Sequence, residues 1–257
     1  MSASLWSPLT QELDRWHTAG RHLRLWLRDD DTVAPSAALD RLAASAGRFD
    51  MPVLLAIIPM LAEPALAGAL REHPLLLPCQ HGCWHRNHEP AGAKKSEFGP
   101  DRSPHDVDAE IAQARLRLLD LLGDHILPIF VPPWNRIDAG HAARLPSLGF
   151  MGLSCFRNRR QAPQGGPHLL NTHIDVMDWH GGRIGRRHDE LIAETTDLLV
   201  QWRSEPRAAD TLGLLLHHRD HDETAWTFLD RLLALAGDHP AVVFTNPRDL
   251  LPPGSSS

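Results

Sequence analysis

The stretch HLRLWLRDDD, residues 22–31, runs a short apolar segment directly into three consecutive carboxylates. A brief apolar run bounded by polar residues reads as a buried strand, and the next segment, SAALDRLAASAG at 36–47, carries helical spacing instead. The same succession repeats along the chain. PVLLAIIP (52–59) precedes LAEPALAGALREH (61–73), and LLLPC (75–79) precedes DVDAEIAQARLRLLDLL (106–122), a helix entered through Ser103 and Pro104. ILPIFV (126–131), FMGLSC (150–155), HLLNTHIDV (168–176), LGLLL (212–216) and AVVF (241–244) supply further strands, with helices near 188–203 and 223–236. Alternation of this kind implies a parallel sheet covered by helices. Seven or eight strands in 257 residues suit a (β/α) barrel better than an open doubly wound sheet. Neither GxGxxG after the first strand nor GxxxxGK[ST] occurs, which removes support for nucleotide-binding versions.

Hydrophobic residues at 42% and charged residues at 23% are ordinary for a globular protein, and no composition shift divides the chain, so residues 1–257 read as one domain. A net charge of -6 has the wrong sign for a nucleic-acid binder. No apolar run is long enough to span a bilayer. Cys79, Cys83 and Cys155 are too few for a disulfide framework and fit a reducing compartment. Residues 1–20 lack an export pattern and read as an amphipathic helix capped by Ser7, with Pro8 at its start and Leu9, Leu13 and Trp16 on one face. A cytoplasmic location is the expectation. Segments 86–103 and 157–168 read as long loops, and the tail 252–257 as disordered.

Unusual polar residues fall at the carboxyl ends of the predicted strands, the edge where α/β architectures gather catalytic groups. Asp29, Asp30 and Asp31 end the first; His81 and His85 follow LLLPC; Pro132, Pro133 and Trp134 follow ILPIFV; His217 and His218 follow LGLLL. Burying several carboxylates together calls for a cation, either a metal ion or the neighbouring Arg28. His81 and His85, four apart, face one way if they lie on a helical turn. One Asp and two His make three protein ligands and leave coordination positions open, as catalytic zinc requires. Such an ion suits hydrolysis of an ester or amide, with a second carboxylate taking the water's proton and a histidine such as His217 protonating the leaving group. Cys79 and Cys83 lack the paired spacing of a structural zinc site.

These residues, in this order, resemble the polysaccharide deacetylases of carbohydrate esterase family 4, over about residues 22–250. The resemblance implies a distorted (β/α) barrel, a divalent metal ion, most simply zinc, and removal of acetyl groups from N- or O-acetylated sugars. The family's TFDDG motif is similar to LRDDD, which makes Asp29 the general base and Asp30 the metal ligand, or Asp30 and Asp31 with a one-residue shift. HGCWH supplies the remaining ligands, His81 and His85. VPPW at 131–134 resembles the third motif, with Pro133 and Trp134 walling the acyl pocket; Val131 stands where an Arg is expected to hold the catalytic Asp, leaving Arg28 or Arg136 for that role. DVMDW points to Asp178 or Asp175 as the group orienting the catalytic histidine, with Trp179 lining the site, and LLLHH points to His217, or His218, as general acid.

Family members acting on polymers are generally exported, so a small or carrier-linked acetylated sugar fits this chain better. Two alternatives stand beside deacetylation: hydrolysis of a non-sugar amide or other carbon–nitrogen bond, and a catalytically silent carbohydrate-binding barrel. Trp84 joins Trp134 and Trp179 as a site candidate, whereas Trp26, Trp202 and Trp226 read as core. The arginines of FRNRR (156–160) and RIGRRH (183–188) read as solvated loop faces with a possible role toward an anionic substrate. His88, His173 and His221 read as hydrogen-bonded structural residues.

Overall fold

Leu23, Leu25 and Leu27 alternate with Arg24, Trp26 and Arg28, and a strand sends successive side chains to opposite faces. In the computed structural model, which describes residues 4–157, 165–205 and 210–252, this stretch is the centre of a parallel sheet. The strands are β1 (Leu23–Thr32), β2 (Val53–Ile57), β3 (Leu76–His81), β4 (Ile129–Val131), β5 (Gly152–Leu153), β6 (His168–Leu169), β7 (Ile174–Asp175), β10 (Thr211–Leu216) and β11 (Val242–Phe244). Their spatial order is β6-β5-β4-β3-β2-β1-β10-β7, with β11 also pairing β1. A separate antiparallel hairpin joins β8 (Met177–Asp178) and β9 (Ile184–Gly185).

HLLNTHIDV is not one strand. It divides into β6 at one end of the sheet and β7 at the other, so five residue steps, at most about 18 Å of chain, connect the two ends. The sheet is therefore curled into the half-closed, distorted barrel expected from the sequence. Asp29, Asp30 and Asp31 end the buried strand as the sequence reads, with β1 continuing through Thr32.

Helices α1 (Ser7–Thr18), α2 (Ala37–Phe49), α3 (Leu66–Glu72), α4 (Pro104–Leu122), α5 (Ala139–Arg144), α6 (His188–Ser204) and α7 (Glu223–Gly237) surround the sheet. Ser7 lies inside α1 rather than capping it, and Leu9, Leu13 and Trp16 are buried as the spacing predicts. Leu25 and Leu27 of β1 pack outward with Leu212, Leu214 and the helices, while Trp26 packs inward with Leu54, Ala56, Cys79, Ile129 and Val131. The Trp26 indole occupies the space beside Gly213 on β10, where a Cβ would come within 2.7 Å of the ring. Cys79 and Cys83 are buried apolar packing, and Trp26, Trp202 and Trp226 are core. The end of the FRNRR run and nearly all of the tail lie outside the described residues.

Candidate active site

Strand alternation separates the three acids. Arg28 and Asp30 follow Trp26 to the barrel interior, whereas Asp29 follows Leu27 toward the helices. Asp29 is fully buried there and accepts two hydrogen bonds from His218, one from the backbone N–H (2.8 Å) and one from ring Nδ1 (2.5 Å). Burial opposes ionisation of Asp29, but the charge and hydrogen bonds of His218 prevail and hold its carboxyl below the usual range. Asp29 is thus locked on the far face of the strand and is not placed as the base.

Asp30 meets Arg28 in a two-point ion pair, Nε to Oδ1 at 2.9 Å and Nη2 to Oδ2 at 2.9 Å, with both side chains buried. Arg28 also donates to Ser154 Oγ (2.8 Å) and Asn135 Oδ1 (2.6 Å), which fixes its fork in place. Arg28 therefore holds the acid that the expected Arg at 131 would have held. Arg136 is exposed and donates to the Lys95 carbonyl instead.

Asp31, not Asp30, joins the histidines. The register between β1 and β2 shifts after Asp29, and Asp31 adopts φ 71°, a left-handed conformation that re-aims its side chain. Its Oδ1 lies 3.1 Å from His81 Nε2 and 3.3 Å from His85 Nε2. Burial works against the charged form, yet the hydrogen bond from His81 and the charges of His81, His85 and His217 hold the Asp31 carboxyl well below the usual carboxylate range. Burial also lowers the affinity of His81 for a proton, but Asp30 and Asp31 together raise it, while burial and the charge of His81 lower that of His85.

His81 and His85 are brought together without a helical turn. His81 ends β3, and the chain then turns through Gly82 (φ 55°) and His85 (φ 56°). The turn wraps a buried carboxylate that sequence reasoning missed: Glu97 accepts from the backbone N–H groups of Cys83 (3.1 Å), Trp84 (2.8 Å) and Arg86 (3.5 Å). A Cβ on Gly82 would meet the Glu97 carboxylate and the Pro133 ring at 2.6 Å or less, so only glycine fits. No spacing signal links Glu97 to this turn, because its partners are backbone amides.

The donor set fits a divalent metal ion. His81 Nδ1 donates to the Val131 carbonyl at 2.9 Å, so Nε2 is the nitrogen that would give up its proton on Asp31's side of the cluster and turn a lone pair to an ion held there. Asp31, His81 and His85 offer ligand atoms within 4.8 Å of one another. The two Asp31–His separations match the roughly 3.3 Å edge of a tetrahedron with bonds of about 2.0–2.1 Å.

Two tryptophans flank this cluster. The Trp134 ring lies 4.4 Å from His85, delivered by a tight turn in which Trp134 and Asn135 both have positive φ, with Pro133 buried beneath. On the other side Trp179 meets the His217 ring edge-on at 4.5 Å. The Trp179 indole donates to Asp175 Oδ2 at 2.8 Å. Burial raises the Asp175 pKa, with His217 and two hydrogen bonds pulling the other way. Asp178 is not at the site: it caps an exposed turn through the N–H groups of His180 and Gly181. His217 Nδ1 is buried with no hydrogen-bond partner in the described residues, and the His217 N–H donates to His221 Nε2 at 3.2 Å. His218 is occupied by Asp29. His88 and Trp84 are exposed, and His173 packs on Trp202. Arg183, Arg186 and Arg187 each pair with a nearby acid.

No protein-family model matches the chain, and no curated protein does. Solved structures do resemble it in shape. A family 4 carbohydrate esterase from Streptomyces lividans in complex with acetate aligns at TM-score 0.55 and 15% identity, covering 86% of this chain and 90% of that one. A family 4 acetyl xylan esterase from Clostridium thermocellum in complex with a cobalt ion aligns at TM-score 0.57 and 12% identity, covering 88% and 89%. A peptidoglycan N-acetylglucosamine deacetylase aligns at TM-score 0.56 and 14% identity, covering 90% and 88%. The chain has the fold of the polysaccharide deacetylases and esterases of carbohydrate esterase family 4.

Proposed function

We propose that the protein is a metal-dependent hydrolase that removes an acetyl group from an acetylated sugar or a related small molecule. The observation that carries this reading is the Asp31–His81–His85 cluster beside an arginine-held Asp30, flanked by Trp134 and by the Trp179–His217 pair. A divalent ion, most simply zinc, held by Asp31, His81 and His85 would supply Lewis acidity toward a carbonyl oxygen and toward water. Asp30 accepts the proton of the attacking water, and Arg28 holds it in position. His217 donates a proton to the departing nitrogen or oxygen, with its ring held against Trp179. Trp134 and Trp179 bound the space for a small acyl group and exclude water from it.

The reading is supported by the fold neighbours, whose names include a peptidoglycan N-acetylglucosamine deacetylase and an acetyl xylan esterase. Acetate release from a panel of N- and O-acetylated sugars, alongside small non-sugar amides, tests it. Release from a sugar should require zinc or a similar ion, stop with a chelator, and fall by about 10²–10⁴ in Asp30→Asn. Release that survives both perturbations, or confinement of activity to the non-sugar amides, would overturn it.

A further inference from the structure

Cations without a carboxylate partner stand at the rim of the site. The whole protein carries 26 basic and 32 acidic residues, yet several cations at this rim have no carboxylate partner among the described residues. The Lys95 Nζ sits 5.8 Å above the Trp134 ring, and Trp134 touches His85. Among the described residues the guanidinium of Arg136, beside it, donates to the Lys95 carbonyl and meets no carboxylate. Across the cluster, Arg219 donates to the backbone carbonyl of Asp31 at 2.9 Å. Each of these side chains is exposed and lies within one residue contact of the cluster or of a tryptophan flanking it.

One acid near the same rim is already paired. Asp220 pairs with Arg183, whose guanidinium lies 5.2 Å above the Trp179 ring, while Asp178, on the exposed turn beyond, keeps its charge and accepts from turn N–H groups. Inside the site Asp30 is balanced by Arg28, and Asp31 by the ion it would hold. An anion entering the mouth therefore meets Lys95, Arg136 and Arg219, three cations without a carboxylate partner among the described residues, with two indole faces beside it.

We infer that the substrate is an anionic acylated sugar, one that carries a phosphate or carboxylate outside the acyl group being cleaved, with Lys95, Arg136 and Arg219 as the residues that select it. This rests on the deacetylase reading and sharpens it. The reaction consumes one water and yields acetate and the free amine or hydroxyl; the anionic group is unchanged. A phosphate and a uronate share the needed chemistry, and the assay separates them.

The test uses the zinc-loaded full chain and compares kcat/KM for N-acetylglucosamine, N-acetylglucosamine 1-phosphate, N-acetylglucosamine 6-phosphate and an N-acetylated hexosaminuronic acid. At least one anionic compound should exceed the neutral sugar by about tenfold or more, and its kcat/KM should fall on raising salt from 0.02 to about 0.3 M. Lys95→Gln and Arg219→Gln should each lower the anionic-to-neutral ratio by about two- to fivefold, as exposed charge pairs allow. Arg248→Gln, in the short helical turn Pro247–Leu250 that meets Arg24 at the start of β1, away from the cluster, should leave the ratio unchanged. Equal turnover of neutral and anionic sugars, or a ratio untouched by the Lys95 and Arg219 changes, overturns the inference while leaving deacetylation standing. Acetate release from none of the four, with release from non-sugar amides, instead removes the reading beneath it.

Discussion

Arg28→Met isolates the charge balance at the centre of the barrel. Arg28 is fully buried and Asp30 is 3% exposed, so removing the guanidinium strands a carboxylate out of reach of water and leaves Ser154 and Asn135 without their donor. Breaking a buried ion pair from one side costs about 3–5 kcal/mol, most of it the penalty of the charge left behind. Urea unfolding in the presence of a chelator should show that loss as a lower midpoint with an unchanged slope. If the penalty resides in the stranded charge, adding Asp30→Asn should recover part of it, giving a coupling of about 1–3 kcal/mol in the double-mutant cycle. A single-variant cost under about 1 kcal/mol, or strictly additive effects, would refute the claim that Arg28 serves Asp30.

Titration with zinc in the presence of a competing chelator should show tight binding lost in Asp31→Asn and retained in Asp30→Asn, and the opposite pattern would return the ligand role to Asp30. Glu97→Gln puts an amide N–H where a backbone N–H now points, so metal affinity should fall roughly 10–100-fold while the protein stays folded by circular dichroism. His173 has its proton affinity lowered, chiefly by burial and also by Arg157, to a pKa of about 4 against an ordinary 6.5, and its Nδ1 accepts the Gly213 N–H. Between those values the unfolded chain binds a proton that the folded chain refuses, so stability is present above 6.5 and lost as pH falls to about 4. His173→Asn keeps the acceptor but cannot titrate, so its stability profile across that range should be flatter, with His221, also lowered to about 4, supplying the remaining slope.

The alternation of apolar runs and helical segments was enough to read the curled parallel sheet, because burial on both faces leaves a strong pattern in LLLPC, LGLLL and HLRLWL. His81, His85, Trp134, Trp179 and His217 were also legible, since each stands at or just past a strand end or in a motif of fixed spacing. The assignment among Asp29, Asp30 and Asp31 was not. It depends on one left-handed residue and a register shift, and nothing in a run of identical side chains shows where a strand will bulge. Asp178 and Asp175 both precede Trp179 at short range, and only the fold shows that Asp175 faces the indole N–H. HLLNTHIDV read as a single strand because its apolar content is continuous, although its two halves end on opposite edges of the sheet.

Placing the balancing cation on β1, two residues before the acid it serves, makes carboxylate and counter-charge a single contiguous unit. Position 131 is thereby released to be a valine whose side chain fills the interior and whose carbonyl orients His81. A search pattern that demands an arginine ahead of Pro-Pro-Trp would pass over such a chain, although a guanidinium still pairs with the buried carboxylate. Barrels of this shape are better screened for where the charge ends up in space than for which strand encodes it.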